Sequence, residues 1–294
     1  MVIQYEYDIQ AMLKLADVGA GAQNPVLRRS ALETLNETSR TFFIPISRLP
    51  DGLLEAVGSG YLCLRAIDEI EDHPDLDCLI KARLLHNISR TIQSSGERLR
   101  VEDLLVTAEE FRPLLPQVSV RLAEWMALAP QGIAHRVWDA TATMADRMAG
   151  WAEDGFKVHN EADLDRYTMG VAGAVGLMLS DLWAWYDGTQ TNRCNAIGFG
   201  RGLQAVNILR NHEEDLRRGA DFFPDGWDAA RMYGYARRNL ALADAYLDEL
   251  PQGPALEFCR MPLLLAYATI DALEQGRPKL ERSEVMRLLG LAAS

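Results

Sequence analysis

Apolar positions along the chain recur with the period of a helix, and no alternating run of apolar and polar residues marks a strand. Leu53, Leu54, Val57, Tyr61, Leu62, Leu64 and Ile67 outline one apolar face that runs directly into an acidic cluster at 68–72. The same periodicity predicts helices over 82–92, 118–128, 134–151, 164–186, 196–216, 227–250 and 258–273. Breakers separate them: Pro50-Asp51-Gly52, His73-Pro74, Pro113 with Pro116, Pro130-Gln131-Gly132, Asp187-Gly188, Pro224-Asp225-Gly226, and the prolines at 251 and 254. Eight or more helices with short connections, no Pro/Ser-rich linker and no shift of composition predict an all-α, single-domain bundle over residues 1–294.

Composition narrows the classes further. With 48% of its 294 residues apolar, the chain has ample material for a packed core, which excludes disordered and collagen-like sequences. Acidic residues outnumber basic ones, 42 to 30, and the net charge of −12 repels nucleic-acid backbones and anionic membrane surfaces. Cys63, Cys78, Cys194 and Cys259 lie far apart with no C-x-x-C pair, which fits reduced thiols better than a disulfide framework or a zinc site. Residues 1–10 carry Glu6 and Asp8 and no basic stretch, unlike a signal peptide. The longest apolar runs, 171–180 and 261–270, are too short to span a bilayer. These features predict a soluble cytoplasmic protein; they leave the oligomeric state open.

Two glycine clusters invite a nucleotide-binding reading and fail it. Gly170, Gly173 and Gly176 recur every third residue, and Gly198, Gly200 and Gly202 alternate, but neither forms G-x-G-x-x-G after a strand. Small residues inside apolar helices instead predict close helix–helix approach. A helix of that kind beside a cavity also leaves room for a long ligand.

The chemistry-bearing residues are acidic. Positions four apart on a helix are offset by only about 40° and lie about 6 Å apart along the axis. Asp68 and Asp72 therefore share a face, with Glu71 adjacent; Asn207, Asn211 and Asp215 form a second stripe, with Glu214 beside it. Each stripe continues an apolar run and has an arginine beside it, Arg65 just ahead of Asp68 and Arg210 just ahead of Asn211. Magnesium takes hard oxygen donors, commonly one or two carboxylates plus substrate phosphates, and arginine forks neutralise remaining phosphate charge. Two such stripes facing each other would hold a metal-bridged diphosphate. Solvated acidic helix ends and surface ion pairs are the plainer alternative, but buried charge needs a partner or a metal. Di-iron chemistry is disfavoured because no histidine stands three residues after a Glu: His73, His86, His135, His159 and His212 all miss that spacing. No H-E-x-x-H, G-x-S-x-G or P-loop occurs.

Four ordered segments then carry a resemblance. Asn36-Glu-Thr-Ser-Arg-Thr-Phe42, Tyr61-Leu-Cys-Leu-Arg-Ala-Ile-Asp-Glu-Ile-Glu-Asp72, Tyr167-Thr-Met-Gly-Val-Ala-Gly-Ala-Val-Gly176 and Gln204-Ala-Val-Asn-Ile-Leu-Arg-Asn-His-Glu-Glu-Asp215 resemble the signature blocks of the squalene/phytoene synthase family. The stretches 221–227 and 259–262 are also similar, and the likeness covers roughly residues 30–285. The resemblance implies an isoprenoid synthase bundle with a central cavity and acid-rich helices at its mouth. It implies that Asp68, Glu71 and Asp72 form one Mg²⁺-binding motif, and that Asn207, Asn211, Glu214 and Asp215 form the other. Ser39, Arg40, Arg65 and Arg210 would hold diphosphate, Tyr61 and Tyr167 would line the reaction centre, and Phe42 and Gln204 would lie on the cavity wall.

One position departs from the family pattern: Asn211 stands where the second motif has its leading Asp. An amide oxygen still ligates magnesium but brings no charge. An enzyme with one diphosphate donor needs less charge than one handling two. A branch of the family that the chain resembles transfers prenyl groups onto aromatic rings such as carbazoles, so the resemblance implies a prenyltransferase that moves the prenyl group of a diphosphate donor, dimethylallyl to geranylgeranyl, onto an aromatic, carbazole-like acceptor. Trp125, Trp138, Trp151, Trp183, Trp185 and Trp227 offer stacking surface or core. The alternatives are head-to-head condensation of two prenyl diphosphates, as in squalene, dehydrosqualene and phytoene synthases, and a non-catalytic helical binding protein.

Overall fold

The computed structural model describes residues 24–95, 111–217, 219–281, 284, 285, 287, 288 and 290; the side chains of Arg40, Thr41 and Ser95 lie outside that description, as do residues 1–10. The helices are α1 (Pro25–Thr38), α2 (Arg40–Ser47), α3 (Leu53–Glu71), α4 (Cys78–Ser95), α5 (Gln117–Val120), α6 (Leu122–Leu128), α7 (Ala134–Glu153), α8 (Glu161–Thr168), α9 (Ala174–Asp187), α10 (Arg193–Arg217), α11 (Ala229–Glu249) and α12 (Pro254–Glu274). A π-helical turn, Met169–Gly173, joins α8 to α9. Among the described residues no strand forms, and a lone β-bridge links Lys157 to Asp221. The protein is all-α.

Apolar periodicity locates α3, α4 and α7 onward, but α1 and α2 carry too little of it to stand out. Their signals are caps. Asn24 accepts a hydrogen bond from the Leu27 N–H with Pro25 at the first helical position, and the Ser39 hydroxyl accepts from Phe42 N–H at 3.3 Å. The 118–128 stretch divides at Arg121 into α5 and α6, and 164–186 is interrupted by the π turn.

Helix α3 is the axis of the molecule. Every residue from Leu53 to Gly60 is buried, and α3 packs against α1, α5, α6, α7 and α9. Polar side chains tie it to its neighbours: Ser59 Oγ donates to the Trp125 carbonyl at 2.6 Å, and Ser119 Oγ donates to the Ala66 carbonyl at 2.8 Å. On the other side α10 packs against α11, α9, α12 and the π turn.

The glycine clusters make the α9–α10 approach possible. A Cβ on Gly176 would lie 2.0 Å from the Ala196 carbonyl oxygen, and one on Gly200 would lie 2.1 Å from that of Ala172. Backbone meets backbone there, so nothing flexible can give way. A Cβ on Gly150, in α7, would meet nothing within 4 Å. Gly176→Ala and Gly200→Ala are each expected to lower the unfolding free energy by about 1–3 kcal/mol through overpacking, whereas Gly150→Ala raises it by up to about 1 kcal/mol through helix propensity. Urea denaturation of the three variants checks this; a neutral Gly176→Ala would contradict the packing.

Candidate active site

The C-terminal half of α3 lines up the first acidic group. Asp68, Glu71 and Asp72 stand at i, i+3 and i+4, and one carboxylate oxygen from each lies within 4.8 Å of the others. Glu71 is buried, Asp68 half-buried and Asp72 exposed, so the group opens outward at one end. Arg65, one turn earlier, donates from Nη1 to Asp68 at 2.8 Å and from Nη2 to Glu69. Its Nε is shut off from solvent and has no hydrogen-bond partner. That leaves an aimed donor beside three clustered carboxylates, an arrangement that suits a cation and an anion together. Such crowding of carboxylate oxygens fits a hard divalent ion such as Mg²⁺.

The second stripe lies on α10. Asp215 is buried, Asn207 and Asn211 are half-buried, and Glu214 is exposed. Arg210 lies along the two amides, donating from Nη2 to Asn207 Oδ1 at 2.7 Å and from Nε to Asn211 Oδ1 at 3.1 Å. Asn211 Nδ2 also donates to Asn207 Oδ1 at 3.2 Å. An arginine charge thus rests on two neutral oxygens. Gln204 sits half-buried one turn before Asn207.

Tyr167, near the end of α8, connects the two helices. Its fully buried phenol is pushed well above the usual tyrosine range, first by burial and then by the charges of Glu71, Asp68, Asp72 and Asp215. Acids from α3 and α10 therefore act on one hydroxyl. The ring is held by aromatic contacts, stacked on Phe222 with centroids 4.5 Å apart and edge-on to Trp151 at 5.5 Å. Phe222 comes from the turn after α10, where Phe223 stacks on His212 at 3.8 Å.

Tyr61 opens a second aromatic file. Its hydroxyl hydrogen-bonds Ser39, and burial raises its pKa despite that bond and the nearby Arg65. The ring packs on Phe42 at 5.3 Å, Phe42 on Phe258 at 6.4 Å, and Phe258 on Trp183 at 5.6 Å. Of the tryptophans, Trp125 and Trp183 are core, Trp138, Trp151 and Trp227 are half-buried, and Trp185 is exposed.

Asp68, Glu71, Asp72, Asp215 and Tyr167 thus fall within one electrostatic neighbourhood, and Tyr61, Ser39, Phe42 and Arg65 form an adjoining one. Glu214 is on the exposed side, and the side chain of Arg40 lies outside the described residues. Sequence periodicity did not single out Phe222, Trp151 or Phe258; only their aromatic type and the position of Phe222 in the 221–227 stretch marked them. A raised Tyr167 pKa stabilises the fold below the unfolded value near about 10 and loses that contribution as pH climbs. Unfolding free energy is expected to decline above about pH 10, less steeply in Tyr167→Phe by up to about 1.4 kcal/mol per pH unit. Urea titrations at alkaline pH test this, and equal slopes would place the phenol outside the acid cluster.

Known proteins share this arrangement of helices. The squalene/phytoene synthase family profile matches residues 35–229, the span from the last turn of α1 to the first residue of α11. A squalene synthase of Schizosaccharomyces pombe is 29% identical over 88% of this chain and 62% of its own length. The Homo sapiens squalene synthase is 27% identical over 89% of this chain and 68% of its own length. The chain thus spans about three-fifths to two-thirds of these relatives. A solved complex of TcSQS with the ligand E5700 shares the fold, with a TM-score of 0.73 over 91% of this chain and 86% of the other at 22% identity. By its matched segment, its helical architecture and its relatives, this chain belongs to the squalene/phytoene synthase family.

Proposed function

We propose that the chain, folded as one domain, is a Mg²⁺-dependent prenyltransferase that ionises an allylic prenyl diphosphate and joins the resulting cation to a second prenyl diphosphate, head to head. The observation that carries this reading is the buried Tyr167 phenol, on which the charges of carboxylates from both α3 and α10 act. Squalene synthase relatives support head-to-head condensation over the aromatic acceptor that Asn211 suggests in the sequence, so that expectation becomes the second reading.

The residues divide the work by their chemistry. Mg²⁺ held by Asp68, Glu71 and Asp72, with Asn207, Asn211 and Asp215 opposite, would supply neutralising charge to the diphosphate. Arg65 has a spare buried Nε to donate to a phosphate oxygen, and Arg210 is aligned by its two asparagines for the same task. The allylic C–O bond breaks and its electron pair leaves with the diphosphate. The double bond of the second substrate supplies the pair for the new C–C bond, and loss of a proton closes a cyclopropyl intermediate that still carries the second diphosphate. That diphosphate then leaves with its C–O electron pair, and the second cation becomes hydrocarbon by losing a proton or by taking hydride from NADPH. Tyr167 remains protonated across the physiological range, so its O–H serves as a donor to the departing oxygen, not as a base. The Phe42, Tyr61 and Phe258 rings keep water from the cation and offer it π-faces. Among the described residues no helix is long and apolar enough to cross a membrane.

The second reading keeps one specific support: Asn211 contributes no charge, and Arg210 is spread over neutral oxygens. Incubation with farnesyl or geranylgeranyl diphosphate and Mg²⁺, with and without NADPH, separates the two. A C30 or C40 hydrocarbon is expected, and Asp68→Ala or Asp72→Ala should cut its formation at least about a hundredfold while the fold is retained. Consumption of a prenyl diphosphate only when an aromatic co-substrate is present would instead establish aromatic transfer. Unchanged activity of the aspartate variants would refute the metal assignment.

A further inference from the structure

Four arginines keep a solvent-shielded guanidinium nitrogen without a hydrogen-bond partner: Arg28, Arg65, Arg147 and Arg201. Three of these arginines are nevertheless paired with acids. Arg28 pairs with Asp51 and Glu55, Arg65 with Asp68 and Glu69, and Arg201 with Asp165. Arg147 has no ion pair among the described residues. Its Nη1 is sealed from solvent and unpartnered, a condition that is costly for a neutral donor and more so for a charged one.

Arg147 lies on an inward stripe of α7. Ala140, Met144, Arg147 and Trp151 recur at four, three and four residues, which places them on one face; Met144 is buried and the others half-buried. The stem of Arg147 runs over Gly170, whose absent Cβ would lie 3.4 Å from Arg147 Cδ and 3.5 Å from its Cβ. Gly170 belongs to the π turn, an element frequently found at functional sites. One helical turn along the same face, Trp151 packs on Tyr167. A lone cation therefore faces the wall that adjoins the acid-ringed phenol. A hydrocarbon chain offers it no acceptor.

We propose that Arg147 binds an anionic oxygen of the second substrate and so determines which second substrate is accepted. This rests on the two-substrate reading above. The shared chemistry is an oxyanion about one helical turn from the Tyr167 contact, and it has two sources: the diphosphate of a second prenyl diphosphate, or a carboxylate on a non-diphosphate acceptor.

The test compares the wild-type protein with Arg147→Met and Arg147→Lys. Met preserves the length and burial while removing the charge, so unliganded thermal stability is expected to hold or rise. Binding is read by calorimetric titration with farnesyl diphosphate and, separately, with indole-2-carboxylate. Weakening of farnesyl diphosphate saturation by at least about tenfold in Arg147→Met, partly restored in Arg147→Lys, assigns the diphosphate; the same pattern with indole-2-carboxylate alone assigns the carboxylate. In steady state the assigned substrate should show a raised KM with little change in kcat. Unchanged binding of both probes would overturn the proposal, whether or not stability falls. A wild-type protein that binds a probe through Arg147 but forms no C30 or C40 product would overturn the head-to-head reading and leave this one standing.

Discussion

Like charge gathered around one buried phenol is the constraint from which the rest of the structure follows. Asp68, Glu71, Asp72 and Asp215 all act on the Tyr167 phenol, and Glu71 and Asp215 are themselves buried. Carboxylates gathered around one buried phenol repel one another, and cations that share the space offset that repulsion. Arg65 answers part of that charge on α3. A fold that places this much negative charge on two inward helix faces is built for a polyvalent partner, and a metal–diphosphate pair supplies both signs in one ligand.

The scaffold meets that constraint with straightforward helix geometry. Positions three and four apart put Asp68, Glu71 and Asp72 on one patch without any loop, which fixes them more rigidly than a loop would. The second helix must approach closely for Asp215 to reach the same phenol. Glycines at 176 and 200 let the α9 and α10 backbones touch, and the π turn before α9 shifts Tyr167 relative to the residues that follow. Aromatic side chains then lock the phenol from two directions, Phe222 by stacking and Trp151 by its edge.

Much of this was legible in the chain itself, because its signals are periodic. The apolar stripe that ends in 68–72 and the one that ends at 215 announce both helices and their acids, and the stiff arithmetic of 3.6 residues per turn does the rest. Helices α1 and α2 were silent because caps, not periodicity, define them. The π turn was hidden because one extra residue in a helix leaves no compositional mark beyond its glycines. Glu214 stands apart from Asp215: a single-residue step rotates a side chain by about 100°, and Glu214 is exposed where Asp215 is buried. Asn211 drew the sequence reading toward an aromatic acceptor, although its structural partner is Arg210 and the relatives are squalene synthases. Arg147 carried no motif at all; only its buried, unpartnered nitrogen distinguishes it.

Helices α3 and α10 must furnish one shared site if their acids serve a single metal–diphosphate ligand. A double-mutant cycle of Asp68→Ala and Asp215→Ala, read by calorimetric titration of Mg²⁺ in the presence of inorganic pyrophosphate, addresses this directly. A shared site predicts strong non-additivity: either substitution alone removes most of the binding, with a coupling energy above about 1 kcal/mol. Losses that simply add would mean two separate sites and would contradict the shared one.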